Sequence, residues 1–195
     1  MSILRSSAAL ALPALLAFSY LAVHTRAVVD AGTAPHLELE DVVRHARIAF
    51  VGTVQSALAR QAADGLIETE YSLAVEQRFV GDGGPSQTVV LPGGVLADGR
   101  GLVLPGVPQL AVGEEVVLFL SERDARSGRH MPVGLEQGRY RLVLGSDGVR
   151  RAIGAGPSYA LDVSGAPHDA AVSQSYQSLR ARIEAALQSA PKESR

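Results

Sequence analysis

Residues 66–79 read LIETEYSLAVEQRF, and the reading of this stretch decides the fold. Ile67, Thr69, Tyr71, Leu73, Val75 and Phe79 alternate with Glu68, Glu70, Ser72, Ala74, Glu76 and Arg78. Successive side chains of a β-strand point to opposite faces, so the first set shares one face and the second set the other. The pattern predicts a strand with one buried face and one wet, acidic face. At about 13 residues it is long for a strand, which suits a strongly coiled member of a small barrel.

Turn signals bracket it: Asp64-Gly65 before, and Gly81-Asp82-Gly83-Gly84-Pro85 after. Upstream, Ile48–Val54 (IAFVGTV) reads as a strand whose central Gly52 marks a bulge or a close backbone approach. Downstream, Gln87–Leu91 (QTVVL) is a further strand, stopped by Pro92-Gly93-Gly94. The nearly continuous apolar run Glu115–Leu120 (EVVLFL) reads as a central strand. Val133–Gln137 and Arg139–Leu144 form the next extended pieces, and Ser146-Asp147-Gly148 turns the chain into Val149–Ile153.

Helices are expected at both ends. Leu39, Val42, Val43 and Ala46 fall on one face of a helix running from about Leu39 to Arg47, with acids early and arginines late, as the helix dipole prefers. Val172, Tyr176, Leu179, Ile183 and Leu187 share one face of a C-terminal amphipathic helix that ends near Ser189. The expected fold class is mainly β (α+β): a small antiparallel OB-like barrel of five or six strands, with a helix at each end. Closing so few strands into a barrel is the simplest way to remove exposed edges.

The first 27 residues read as an export signal. Arg5 gives a basic start, Ala8–Val23 is an uncharged and mostly apolar run of about 16 residues, and Thr25-Arg26-Ala27 offers a cleavage site. The alternative is an uncleaved N-terminal membrane anchor. The expected division is then a leader over 28–37, a barrel over 38–155, a linker over 156–172, a helix over 173–189 and a tail over 190–195. The expected location is periplasmic or extracellular, without a stable membrane span once the signal is removed.

Composition excludes several classes. There is no cysteine, so neither a disulfide nor a lipoprotein anchor is possible, and no asparagine, so no N-linked glycan can be attached. The formal charge of −2 comes without a basic patch, which argues against nucleic-acid binding. Arginine supplies nearly all the positive charge, Lys192 being the only lysine, and this reads as genome composition.

The chemical inventory is thin. His36, His45, His130 and His168 show no helical metal-ligand spacing and HExxH is absent, so no metal and no cofactor are expected. His36 with Glu38 and Glu40 is the one local donor cluster, and it reads more simply as a solvated leader. No GxSxG elbow and no phosphate loop occurs. Glu68, Glu70 and Glu76 have a spacing that glycosidase carboxylates could use, but an exposed polar strand face is the favoured explanation. Glu136 and Arg139, in the GLEQGRY block over 134–140, form a candidate polar site.

The segments Ile48–Val54, Leu66–Phe79, Pro92–Gly94, Pro105–Pro108, Val112–Leu120 and Gly134–Tyr140, in that order, resemble a family of small, mostly uncharacterised exported bacterial proteins. In some relatives the domain is associated with secreted matrixin-type metalloproteases. The resemblance implies an OB-type barrel like those of tissue inhibitors of metalloproteinases and netrin-like modules. Those inhibitors organise their inhibitory edge around a disulfide-held N-terminal cysteine, and this chain has no cysteine to do so.

The loop from Pro92 to Leu110 offers the best working surface. Leu102, Val103, Leu104 and Val107 are apolar side chains that a surface loop ordinarily avoids. They either dock a partner or plug one end of the barrel. The sequence therefore favours a non-enzymatic exported module that binds a protein, with a secreted protease as the suspected partner. The alternatives are a small-ligand or glycan binder at the barrel mouth, using Tyr71, Phe79 and Tyr140, or an enzyme of unrecognised type.

Overall fold

A computed structural model of the chain describes residues 36–154 and 172–189. The expected signal, most of the leader, nearly all of the linker and the tail lie outside the described residues.

Helix α1 spans Leu39–His45 and buries Leu39, Val42 and Val43, with Glu40 and Asp41 in its first turn and Arg44 and His45 in its last. Strands β1 (Ile48–Gln61), β2 (Ile67–Val80), β3 (Ser86–Pro92), β6 (Glu115–Leu120), β7 (Arg139–Leu144), β8 (Arg150–Gly154) and β9 (Val172–Ser175) form one sheet, in the order β3-β2-β1-β6-β7-β8-β9. Every pairing in it is antiparallel. Strands β4 (Gly94–Val95) and β5 (Gly101–Leu102) form a separate two-stranded ribbon. Helix α2 spans Tyr176–Ser189 and buries Tyr176, Leu179, Ile183 and Ala186 at helical spacing.

The mainly β class and the two helices are as expected; the barrel is not. The seven-stranded sheet is open, with β3 and β9 at its edges. Its strands also outnumber the five or six expected. One loop partly covers the β3 edge: His130 N–H donates to the Val90 carbonyl at 2.8 Å, and Val90 N–H points at His130 Nδ1 at 3.4 Å. That loop also returns to β6 through Ser121 N–H to the Met131 carbonyl and a bridge between Leu120 and Pro132.

Two apolar clusters lie on opposite faces of the sheet centre. Ala49, Val51, Val117, Phe119, Leu142 and Ala152 pack beneath the two helices. Phe50, Val54, Val116, Leu118 and Leu120 pack on the other side with Tyr71, Leu73, Val89, Leu91 and Leu110. The first half of β1 and nearly all of β6 are thus buried on both faces, which explains why IAFVGTV and EVVLFL are mostly apolar without alternation. A Cβ on Gly52 would sit 2.7 Å from the Ala74 carbonyl oxygen, and the β1–β2 register shifts there, as the expected bulge requires.

Three local expectations are corrected. Val133–Gln137 is not extended: Leu135–Gly138 forms a 3-10 turn, entered by Gly134 at φ 66° and Leu135 at φ 61°. Residues 172–175 pair with β8 as a strand, where linker and helix were expected, so the helix starts at Tyr176. The acidic face of β2 is not uniformly wet, because Glu68 is buried.

Candidate partner-binding surface

The ribbon β4–β5 lies against the β1–β2 hairpin. Gly93 N–H donates to the Ile67 carbonyl at 2.7 Å, and Thr69 Oγ1 donates to the Gly93 carbonyl at 2.7 Å. Gly94, at φ 136°, approaches Thr69 and Ala59 so closely that no Cβ fits there. At the ribbon tip, Asp98 accepts from Arg100 N–H at 3.0 Å and from its Nε at 2.9 Å. Val95 stands out on the ribbon, and Val103 follows it with 76% of its surface exposed.

The same loop then turns inward. Val107 packs on the inner cluster and Leu110 is buried, with Leu110 N–H pointing at the Tyr71 hydroxyl at 3.4 Å. Leu102 and Leu104 are half-buried. The part of the loop that fills the interior is therefore Val107 and Leu110, while Val103 faces solvent. Beyond Leu110 a turn fastens the loop to β1: Gly113 N–H donates to the Val54 carbonyl at 2.8 Å and Val54 N–H to the Glu114 carbonyl at 2.9 Å. Val112, on this turn, is exposed.

The polar candidate sits beside the loop. The Arg139 guanidinium donates from NH1 to Glu114 Oε1 at 2.8 Å and from Nε to Glu136 Oε1 at 2.8 Å. Glu114 uses its second oxygen to accept Ala111 N–H at 2.9 Å. One arginine thereby ties strand β7, the 3-10 turn and the end of the loop together. Burial pushes the Glu136 carboxyl above the usual carboxylate range, with Arg139 pulling the other way. Leu135 covers Gly106, where a Cβ would come within 2.8 Å of its Cδ1. The structure thus brings the two candidate sites together through Leu135–Gly106 and Arg139–Glu114.

Two further ion-pair clusters carry no sequence signature. Glu68 lies between Arg60 Nε at 2.9 Å and Arg129 Nε at 2.8 Å, and Arg129 also grips Asp64 with both terminal nitrogens at 2.7 and 2.8 Å. Hydrogen bonds from Arg129, then from the Leu66 amide, hold the Asp64 carboxyl down at about 2. On the helix side, Arg150 pairs with Glu76 and Glu115 and lies 4.4 Å from the centre of the Tyr176 ring. Arg60 and Glu68 face each other across the β1–β2 hairpin, and the other partners are distant in sequence, so only folding reveals those pairings.

His36 and Glu38 approach to 3.4 Å at a cleft of about 240 Å³, also lined by Gln137, Tyr140, Gln174 and Arg182. Among the described residues no group of three or more His, Cys, Asp or Glu side chains could hold a metal ion. Tyr71, one of the aromatics considered for sugar stacking, is enclosed in the core. Tyr140 is half-buried against Gly154 and meets Phe119 edge to face. Among the described residues no helix is long and apolar enough to cross a membrane.

No family model, no curated protein and no solved structure matches this chain.

Proposed function

We propose that this protein is a non-enzymatic exported module that binds another protein through the loop between Gly94 and Gly113. The observation that carries this reading is the loop's division of labour. Val107 and Leu110 anchor it to the core, Arg139 clamps its end, and Val95, Val103 and Val112 stay in water. A loop held this rigidly while exposing apolar side chains loses little conformational entropy on docking.

The charged groups described above are engaged with one another across segments, which supports a scaffolding role for them over a catalytic one. A secreted protease remains the suspected partner, on the strength of the resemblance in segment order alone. Likeness to metalloproteinase inhibitors rests on the same resemblance.

The test compares capture of proteins from the host's exported fraction by the natural chain and by a Val95→Ser/Val103→Ser/Val112→Ser variant. A protein held by the first and released by the second, at unchanged melting temperature, supports the reading. Equal capture by both overturns it. A small-ligand or glycan reading gains no comparable support, since Tyr71 is inaccessible.

A further inference from the structure

We infer that the outer edge of β1 pairs with the same edge of a second copy of this chain, antiparallel and centred on Leu58. This goes beyond the loop surface, using a different segment and a different partner.

Strand β1 has two neighbours only over its first half. Its pairing with β6 ends at Thr53, whereas its pairing with β2 continues to Gln61. Beyond the turn that reaches Val54, no backbone bond to any segment other than β2 joins residues 55–61 among the described residues. Gln55, Ser56, Ala57 and Leu58 are exposed, and Leu58 has 64% of its surface in water.

The direction of the free groups follows from register. Ala62 N–H donates to the Leu66 carbonyl, and that register runs unbroken back to Ser56 opposite Ser72. Antiparallel pairs alternate between hydrogen-bonded and non-bonded, so Arg60, Leu58 and Ser56 bond to β2. Ala57, Ala59 and Gln61 then turn N–H and C=O away from β2, toward the open edge. The opposite side of the hairpin obeys the same parity: the Ile67 carbonyl, facing away from β1, accepts Gly93 N–H at 2.7 Å.

That edge suits a copy of itself. An exposed strand edge usually carries a charge, a proline or a bulge that repels another strand. Residues 54–59 read VQSALA, without a charge or a proline, and the one irregularity of the segment, between Val54 and Ser56, lies before the stretch from Ser56 to Arg60 that would pair. With Leu58 opposite Leu58 of the second copy, Ala57 faces Ala59 and can exchange both backbone bonds with it, twice by symmetry. Arg60 then faces Ser56, so no like charges meet. The central position is a non-bonded pair, where side chains come closest, and it removes two exposed leucines from water. A single strand pairing falls short of the area of a standard interface, so the dimer is weak and concentration-dependent.

The chain contains no cysteine, so single cysteines report proximity cleanly. Leu58→Cys is compared with Val103→Cys, a position at least as exposed and outside β1, under mild oxidant at matched concentrations. Sedimentation velocity follows the natural protein, Leu58→Lys and Ala59→Pro from low to high micromolar protein. Leu58→Lys changes an exposed side chain, and Ala59→Pro removes an outward N–H while sparing the bonds to β2; circular dichroism confirms that each is folded. The expected result is a reversible dimer lost in both variants, with Leu58→Cys cross-linking at least about tenfold faster than Val103→Cys. A monomer at every concentration, equal cross-linking rates, or a dimer that survives Leu58→Lys would each overturn the inference. Loss of the loop partner leaves these readouts unmoved, so the two proposals fail separately.

Discussion

Arg129 places its Nε 2.8 Å from Oε2 of Glu68, 61 residues away, with both side chains largely withdrawn from water. This pair joins the loop that covers the β3 edge to the β1–β2 hairpin. Removing Arg129 leaves the buried Glu68 with Arg60 alone, which costs more than an exposed ion pair contributes. Arg129→Met is expected to destabilise the fold by about 2–3 kcal/mol. Replacing Glu68 by leucine and Arg129 by methionine together is expected to cost at least about 1 kcal/mol less than the sum of the two single changes. Urea unfolding of the four proteins checks both expectations; additive costs would show that the pair is not coupled.

His130 makes stability depend on pH. Burial, with Arg123 nearby, holds its imidazole below the usual histidine range, and its Nδ1 faces the Val90 N–H and not an acceptor. A folded-state value below the unfolded one stabilises the protein fully above the unfolded value near 6.5 and loses that stability as pH falls through the folded value. The melting temperature is expected to drop between pH 7 and pH 5, and His130→Gln is expected to flatten this interval. An unchanged slope in the variant would place the pH dependence elsewhere.

Glycine positions divide by the reason for their conformation. A Cβ on Gly138 would come within 2.6 Å of the Val133 carbonyl oxygen and 2.9 Å of that of Phe119, both backbone atoms that cannot yield locally. Gly138→Ala is expected to cost about 3 kcal/mol or more. Gly65, at φ 84°, meets nothing within 4 Å, so Gly65→Ala carries only the left-handed backbone penalty of about 1–2 kcal/mol. Thermal or urea unfolding of the two variants ranks them.

Val103 and Leu110 separate the exposed from the anchoring part of the loop. Val103→Ser is expected to change stability by less than about 0.5 kcal/mol. Leu110→Ser opens a cavity and buries a hydroxyl, for a loss of about 3 kcal/mol. Equal losses at both positions would mean that Val103 belongs to the core.

The sequence exposed much of the fold because burial writes a pattern of period two or 3.6 wherever one face is covered. Tyr71 and Leu73 are legible for that reason, and the Val116–Leu120 run is legible because both of its faces are covered and every position is apolar. Ser56–Gln61 escaped, since SALARQ has no alternation; it is a strand because β2 is there to pair with it. Residues 172–175 escaped likewise, their strand being made by β8. The open sheet was missed because closure depends on register between distant strands, and here a loop meets β3 at His130 in place of a ladder. Of the candidate site, Glu136 with Arg139 was legible as a local block. Glu114, the residue that links them to the loop, lies 25 positions from Arg139 and gave no signal.

The central claim is that the loop binds a protein, and the most direct measurement is capture from the host's exported fraction by the natural chain beside the Val95→Ser/Val103→Ser/Val112→Ser variant. The account predicts a specific protein retained by the natural chain and lost from an equally stable variant. Identical capture by the two proteins would contradict it.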